Sequence, residues 1–237
     1  MGGVIDRSET LARDHLVFRG LQSIVYEPDG NVPPDFLANG DIAVEVRRLN
    51  QNERGLSIPK GLEEVEIPLL MGLRSCLRSY GPAASASWWI AIHFKRPVPR
   101  WSTLDASARA FFDSVRQAPT ERRAARAVDG NVQLEAIPRS GTGGDTFDLA
   151  LTNDGDSGGW VLEELERNLN LIIAEKTKKI AIVRARYRVW WLLLVDQIAF
   201  GLSEYDRAQF EASIQIRHQW DEVVLVNPLD HTHYFEM

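Results

Sequence analysis

Two short apolar runs constrain the fold of this chain more than any other feature of its sequence. They cover Trp88 to Lys95 and Trp190 to Val195, and both are nearly continuous rather than alternating. A strand of this kind is buried on both faces of its sheet, as in α/β proteins. Neither run approaches the roughly 20 residues that a helix needs to cross a bilayer. The sequence therefore predicts an α/β fold with a mixed central β-sheet flanked by helices, and no membrane partner.

Length and composition are typical of one globular domain in a reducing compartment. The chain has 237 residues, of which 44% are hydrophobic and 25% charged, so one domain over residues 1–237 is expected. Cys76 is the single cysteine, so no internal disulfide and no cysteine cluster for zinc can form. These features favour a cytoplasmic protein. A homodimer is compatible with them.

Helical periodicity is clearest from Ser157 to Ala174, where Val161, Leu165, Leu169 and Ile172 form an apolar stripe and acidic residues lie near the start. Lys176, Lys178 and Lys179 come directly after this segment and are interpreted as cations that interact with the helix dipole. The other predicted helices cover residues 8–18, 62–80 and 104–115. Residues 133–137 and 146–151 are predicted to pair as a hairpin around the loop Gly141 to Gly144, and residues 222–226 as a last strand.

A second predicted hairpin carries the residues that point to chemistry. Asp35 to Leu37 and Ile42 to Leu49 are strand-like, and Asn39-Gly40 between them is a favoured two-residue turn because both residues tolerate positive φ. The second strand alternates, so Glu45 and Arg47 leave the same face about 7 Å apart. Metal-dependent phosphodiester cleavage needs rigidly held carboxylates around Mg²⁺ and a cation near the phosphate. A hairpin with Asp35, Glu45 and Arg47 provides these groups.

Pro34-Asp35 followed by Glu45-Val46-Arg47 resembles the two-part motif of the PD-(D/E)xK nuclease superfamily. Glu27 resembles the additional acidic residue that some members use. The segments Trp190 to Asp196 and Glu222 to Val226 are also similar to bacterial members of this group. The resemblance implies a restriction-endonuclease-like core and a Mg²⁺- or Mn²⁺-dependent nuclease acting on DNA or RNA. Asp35, Glu45 and Arg47 would be catalytic, and Asp35, Glu45 and Glu27 would hold the metal.

The motif departs from the family pattern at Arg47, which stands where lysine is usual. Arginine keeps its proton near neutral pH and contacts oxygens through a rigid planar fork, unlike the mobile ammonium of lysine. A catalytically decayed module that binds nucleic acid or protein is therefore the alternative function. Two further hypotheses stay open. Glu45 and Arg47 could be solvated residues of an ordinary exposed hairpin, or the chain could be an unrelated α/β protein with Asp35 and Glu45 on opposite sides of the hairpin.

The net charge of −6 excludes a free-standing protein that coats DNA without regard to sequence, since such proteins are usually basic. Nucleic acid, as the partner that the resemblance implies, would have to contact local basic clusters. Three such clusters occur, at Lys95, Arg96 and Arg100, at Arg122, Arg123 and Arg126, and at Arg184, Arg186 and Arg188.

Overall fold

The computed structural model describes residues 5–56, 58–84, 86–117, 123–140 and 144–237. The helices are α1 (Arg7–Phe18), α2 (Glu63–Arg78), α3 (Trp101–Gln117), α4 (Val161–Ile180) and α5 (Glu204–Ser213). The strands are β1 (Val25–Tyr26), β2 (Phe36–Ala38), β3 (Ile42–Leu49), β4 (Trp88–Phe94), β5 (Ala124–Asp129), β6 (Val132–Pro138), β7 (Phe147–Asp154), β8 (Val189–Asp196), β9 (Glu222–Asn227) and β10 (Asp230–Glu236). The predicted α/β fold is confirmed. None of the described helices combines the length and apolar character that a membrane span requires.

The chain divides into two compact units, and each contains a mixed sheet of its own. Unit 1 joins residues 1–60 to residues 159–237, and unit 2 is the continuous segment 61–158 between them. Unit 2 is thus an insertion in the sequence of unit 1, placed between β3 and α4. That residues 1–237 form a single domain stays a prediction.

Unit 1 is a six-stranded sheet with the order β1-β2-β3-β8-β9-β10. The strands β3, β8 and β9 run parallel, and the outer pairs are antiparallel. On one face, Ala12 and Leu16 of α1 pack against Val44, Val46 and Leu193. Apolar residues of α4 and α5 cover the other face. The central strand β8 is therefore buried on both sides, as its apolar run predicts.

The β2–β3 hairpin forms where the sequence predicts it, with a longer connection. Asn39 and Gly40 adopt φ values of 53° and 84°, as expected for this turn. Ala38 pairs with Ile42, however, so Asp41 also belongs to the connection. The predicted two-residue loop is therefore wrong by one residue. Extending this register by one pair beyond Phe36–Val44 places Asp35 directly opposite Glu45.

Helix α4 continues to Ile180, beyond the predicted end at Ala174. Its apolar stripe, formed by Leu165, Leu169, Ile172 and Ile180, packs on the sheet of unit 1. The extra turns carry Lys176 and Lys179 along β3 rather than into solvent beyond a helix end. This longer helix positions the cations of the candidate site.

Unit 2 is a four-stranded sheet with the order β5-β6-β4-β7, and α2 and α3 pack on one of its faces. The predicted hairpin of residues 133–137 with 146–151 is wrong, because β4 lies between β6 and β7 and pairs with both. Of the loop predicted to join them, residues 141–143 lie outside the described part of the chain. Local periodicity identifies these two strands correctly, but it contains no information about their neighbours.

Candidate functional site

Glu45 lies in the middle of β3 and is completely buried. It shares a face of the strand with Ala43 and Leu49, which belong to the core under α4, whereas Val44 and Val46 face α1. The predicted alternation is thus confirmed. The interpretation of Glu45 as a solvated residue on an exposed hairpin is wrong, because α4 covers this face. A buried carboxylate is costly unless charged or hydrogen-bonding groups compensate it.

Two lysines of α4 provide that compensation. Lys176 Nζ donates to Glu45 Oε2 at 2.7 Å and to the backbone oxygen of Val46 at 3.0 Å. Lys179 Nζ donates to the same Glu45 oxygen at 3.1 Å. The second oxygen of Glu45, Oε1, is buried and accepts no hydrogen bond from any described residue. The two lysines therefore share one oxygen of this carboxylate, and the other is a buried acceptor without a partner among the described residues.

Asp35 belongs to the same charged cluster. Its Oδ2 accepts a hydrogen bond from the Val46 N–H at 2.7 Å. Burial raises the pKa of the Asp35 carboxyl, and the negative charge of Glu45 raises it further, against the opposing effects of Lys176 and Lys179. The same two ammonium groups thus act on both carboxylates. Asp35 and Glu45 lie on one side of the hairpin, contrary to the hypothesis that they point to opposite sides.

Arg47 lies at the margin of this cluster. Its Nη2 is 3.7 Å from Oε2 of Glu175 in α4, and about a third of each side chain is exposed. A partly exposed pair of this length contributes little to stability. The structure brings Arg47 to the predicted face of β3, but its ion-pair partner there is Glu175 rather than Asp35 or Glu45.

Glu27 is connected to Asp35 through the backbone, since the Glu27 N–H donates to the Asp35 carbonyl oxygen at 2.9 Å. Its carboxylate contributes to raising the pKa of the neighbouring Tyr26, for which burial and Glu9 are the larger causes. A role for Glu27 as an additional metal ligand stays a prediction.

The donor chemistry of Asp35 and Glu45 fits a hard divalent cation such as Mg²⁺ or Mn²⁺. Carboxylate oxygens are the ligands that these ions prefer, and the unpartnered Glu45 Oε1 is one that the protein leaves unused. Among the described residues, no group of three or more His, Cys, Asp or Glu side chains is arranged to hold a metal. Asp35 and Glu45 are the ligands that the charged cluster offers, Glu27 stays the predicted third, and water or substrate oxygens would complete the coordination.

Lys176 and Lys179 are the residues that sequence reasoning missed. The sequence did contain a signal for Lys176, which continues the stripe of Leu165, Leu169 and Ile172 at helical spacing and precedes Ile180 by one turn. A cation on the buried stripe of a helix needs a buried anion. Glu45, an anion on a strand with apolar alternation, is the complementary signal.

The basic clusters are largely paired with acidic neighbours. Arg96 contacts Asp154 and Asp156, and Arg123 contacts Glu135. The ion pairs of the third cluster are Arg184–Asp221, Arg186–Asp29 and Arg188–Asp41. Arg122 lies outside the described residues. Lys95, Arg100 and Arg126 are exposed, and contact of these clusters with nucleic acid stays a prediction.

No protein-family model matches the chain, and comparison with curated proteins and with solved structures finds no match either. The resemblance to PD-(D/E)xK nucleases therefore rests on the motif alone. The function has to be inferred from the geometry of the charged cluster.

Proposed function

We propose that this protein is a Mg²⁺- or Mn²⁺-dependent nuclease that hydrolyses phosphodiester bonds in DNA or RNA. One observation carries the proposal: Glu45 contacts two lysines of α4 whose charges also act on Asp35, and its buried Oε1 has no partner among the described residues. The residues before unit 2 supply the carboxylates, and the helix after it supplies the cations. Such a combination of acids and ammonium groups is what hydrolysis of a charged diester requires.

The side chains have distinct roles in this proposal. Asp35 and Glu45 would hold the ion, which when bound polarises a phosphate oxygen and lowers the pKa of a bound water. Lys176, fixed between Glu45 and the Val46 carbonyl, would stabilise negative charge that develops at phosphorus. Water adds to phosphorus, the bond to the leaving oxygen breaks, and that oxygen takes up a proton. Arg47, which is paired with Glu175 at the margin of the site, would contact a phosphate oxygen of the substrate.

The first test is cleavage by the purified wild-type protein. With Mn²⁺ or Mg²⁺ it is expected to nick plasmid DNA or degrade single-stranded RNA, and EDTA is expected to stop the reaction. Electrophoresis of both substrates over a range of metal concentrations measures this. Cleavage that survives EDTA, or no cleavage of either substrate with either ion, would overturn the proposed activity.

The closed ion cluster also favours a second candidate function, a decayed nuclease module that binds nucleic acid or protein. Lys176 and Lys179 already neutralise Glu45, so the cluster is compatible with a purely structural role. Calorimetric titration with Mn²⁺ distinguishes the two functions. Stoichiometric binding that disappears in Glu45→Gln supports a working site, whereas the absence of binding supports decay.

A pair of variants identifies which cation serves the reaction. Lys176→Met is expected to lower kcat about 100-fold or more, because it removes a fixed charge beside the reacting phosphate. Arg47→Ala is expected to lower kcat by less than about tenfold, since its guanidinium lies at the margin and is paired with Glu175. Cleavage assays at saturating substrate, with circular dichroism to confirm folding, measure both. The reverse order of effects would assign the catalytic cation to Arg47.

A further inference from the structure

The two lysines at Glu45 are anchored to different degrees. Lys176 is about 7% exposed and has two polar contacts, with Glu45 and with the Val46 carbonyl. Lys179 is 44% exposed, and within the described residues Glu45 is the carboxylate that it contacts, at 3.1 Å. Because a lysine stem is flexible and its ammonium readily hydrated, Lys179 can leave Glu45 for solvent, whereas Lys176 cannot do so without leaving a buried charge unpaired.

The charges of the cluster determine what a divalent ion would encounter. With Asp35 ionised, as a metal ligand must be, the charges of Asp35 and Glu45 balance those of Lys176 and Lys179, so the cluster without a metal is neutral. A divalent ion held by the same carboxylates would leave two excess positive charges in a partly buried site. Such an excess is unfavourable because the effective dielectric there is lower than in water. In addition, Lys176 and Lys179 share the Oε2 atom that Glu45 would need for bidentate coordination.

We infer that Lys179 is a displaceable counter-ion, which holds Glu45 in the metal-free protein and transfers to a substrate phosphate when a divalent ion is bound. This inference rests on the proposed function and concerns the regulation of the same site. Movement of Lys179 away from Glu45 takes one of the two excess positive charges out of the carboxylate cluster, and the single negative charge of the substrate phosphate offsets the charge that Lys179 carries to it. Metal and phosphodiester therefore bind cooperatively, and each strengthens binding of the other.

The test compares Lys179→Met with Lys178→Met by calorimetric titration of Mn²⁺ in the absence of nucleic acid. Lys178 is exposed and adjacent in α4, so its replacement causes the same change of net charge without touching Glu45. Lys179→Met is expected to bind Mn²⁺ about tenfold more tightly than wild type, and Lys178→Met nearly as wild type. Equal affinities for the two variants would overturn the inference while leaving the proposed function intact. No Mn²⁺ binding in wild type or either variant would overturn both.

Two further measurements test the transfer itself. Mn²⁺ is expected to increase the acylation of Lys179 by an N-hydroxysuccinimide ester, measured by mass spectrometry, and to leave that of Lys178 unchanged. A phosphorothioate oligonucleotide, which is charged and resists hydrolysis, is expected to tighten Mn²⁺ binding by the wild type. A methylphosphonate oligonucleotide of the same sequence, which is neutral, is expected to leave the affinity for Mn²⁺ unchanged. Unchanged labelling of Lys179, or equal effects of the two oligonucleotides, would contradict the transfer.

Discussion

Replacement of Glu45 by glutamine is expected to lower the free energy of unfolding by about 3–5 kcal/mol and to abolish both Mn²⁺ binding and cleavage. The neutral amide leaves Lys176 buried without its anion, and loss of one partner of a buried ion pair has a cost of this size. The remaining amide oxygen is expected to face the lysines, so the NH2 group replaces Oε1, the Glu45 oxygen that has no partner among the described residues. Urea unfolding followed by tryptophan fluorescence measures the first effect, and calorimetry and the cleavage assay measure the second.

Glu164→Gln is the matched control for this variant. Glu164 also lies in unit 1, is nearly buried, and accepts hydrogen bonds from Arg54 at 2.5 Å and Arg167 at 2.6 Å. Its replacement is expected to destabilise the protein, although less, because Arg54 is mostly exposed and can return to water. Cleavage under conditions where the variant remains folded should be retained. If Glu164→Gln abolished cleavage as completely as Glu45→Gln, the loss would reflect folding rather than chemistry.

Asp35→Asn is expected to reduce cleavage about 1000-fold or more while making the protein more stable at neutral pH. The loss of activity follows from removal of one of the two carboxylates proposed to hold the ion. The gain in stability follows from the raised pKa of Asp35, whose charge is disfavoured by burial and by Glu45. Asparagine keeps an oxygen that can accept the Val46 N–H, so the backbone contact of Asp35 is preserved.

The raised pKa of Asp35 also determines how the stability of the wild type changes with pH. Because the pKa of Asp35 is higher in the folded protein than in the unfolded chain, the folded state binds the proton more tightly. Stability from this group is therefore present below the ordinary pKa of 3.8 and is lost as the pH rises through the higher folded value. In urea unfolding from pH 4 to 8, the free energy of unfolding of Asp35→Asn should therefore exceed that of wild type by an amount that grows as the pH rises through the folded pKa of Asp35. Asp148→Asn, which changes a partly exposed aspartate paired with Arg139, should show no such gain. A lower stability of Asp35→Asn at every pH would contradict the prediction.

The parts of the site that could be predicted from sequence are those that depend on near neighbours in the chain. Alternation along Ile42 to Leu49 and the turn residues Asn39 and Gly40 define the hairpin, and the hairpin brings Asp35 opposite Glu45. The burial of Trp190 to Val195 is likewise a local property of an apolar run. In each case, a period of two or a turn propensity determines the result.

The partner of Glu45 could not be found in the same way. Lys176 lies 131 residues further along the chain, beyond the whole of unit 2. Helix-dipole reasoning explains a lysine at a helix end, but it applies only if the helix ends there, and α4 continues to Ile180. Which helix covers which strand depends on packing between distant segments. The incorrect pairing of β6 with β7 has the same cause, since strand periodicity does not identify the neighbour.

The insertion of unit 2 between β3 and α4 has a consequence for the order in which the protein is synthesised. During translation, Glu45 leaves the ribosome long before Lys176, and all of unit 2 is made in the interval. Unit 2 is one continuous segment, so its contacts are available as soon as its own residues have emerged. The sheet of unit 1 must wait for β8, which lies between β3 and β9. Until then β3 has an unpaired edge and Glu45 lacks its lysine partners, so the nascent chain carries this carboxylate in water before α4 and β8 enclose it.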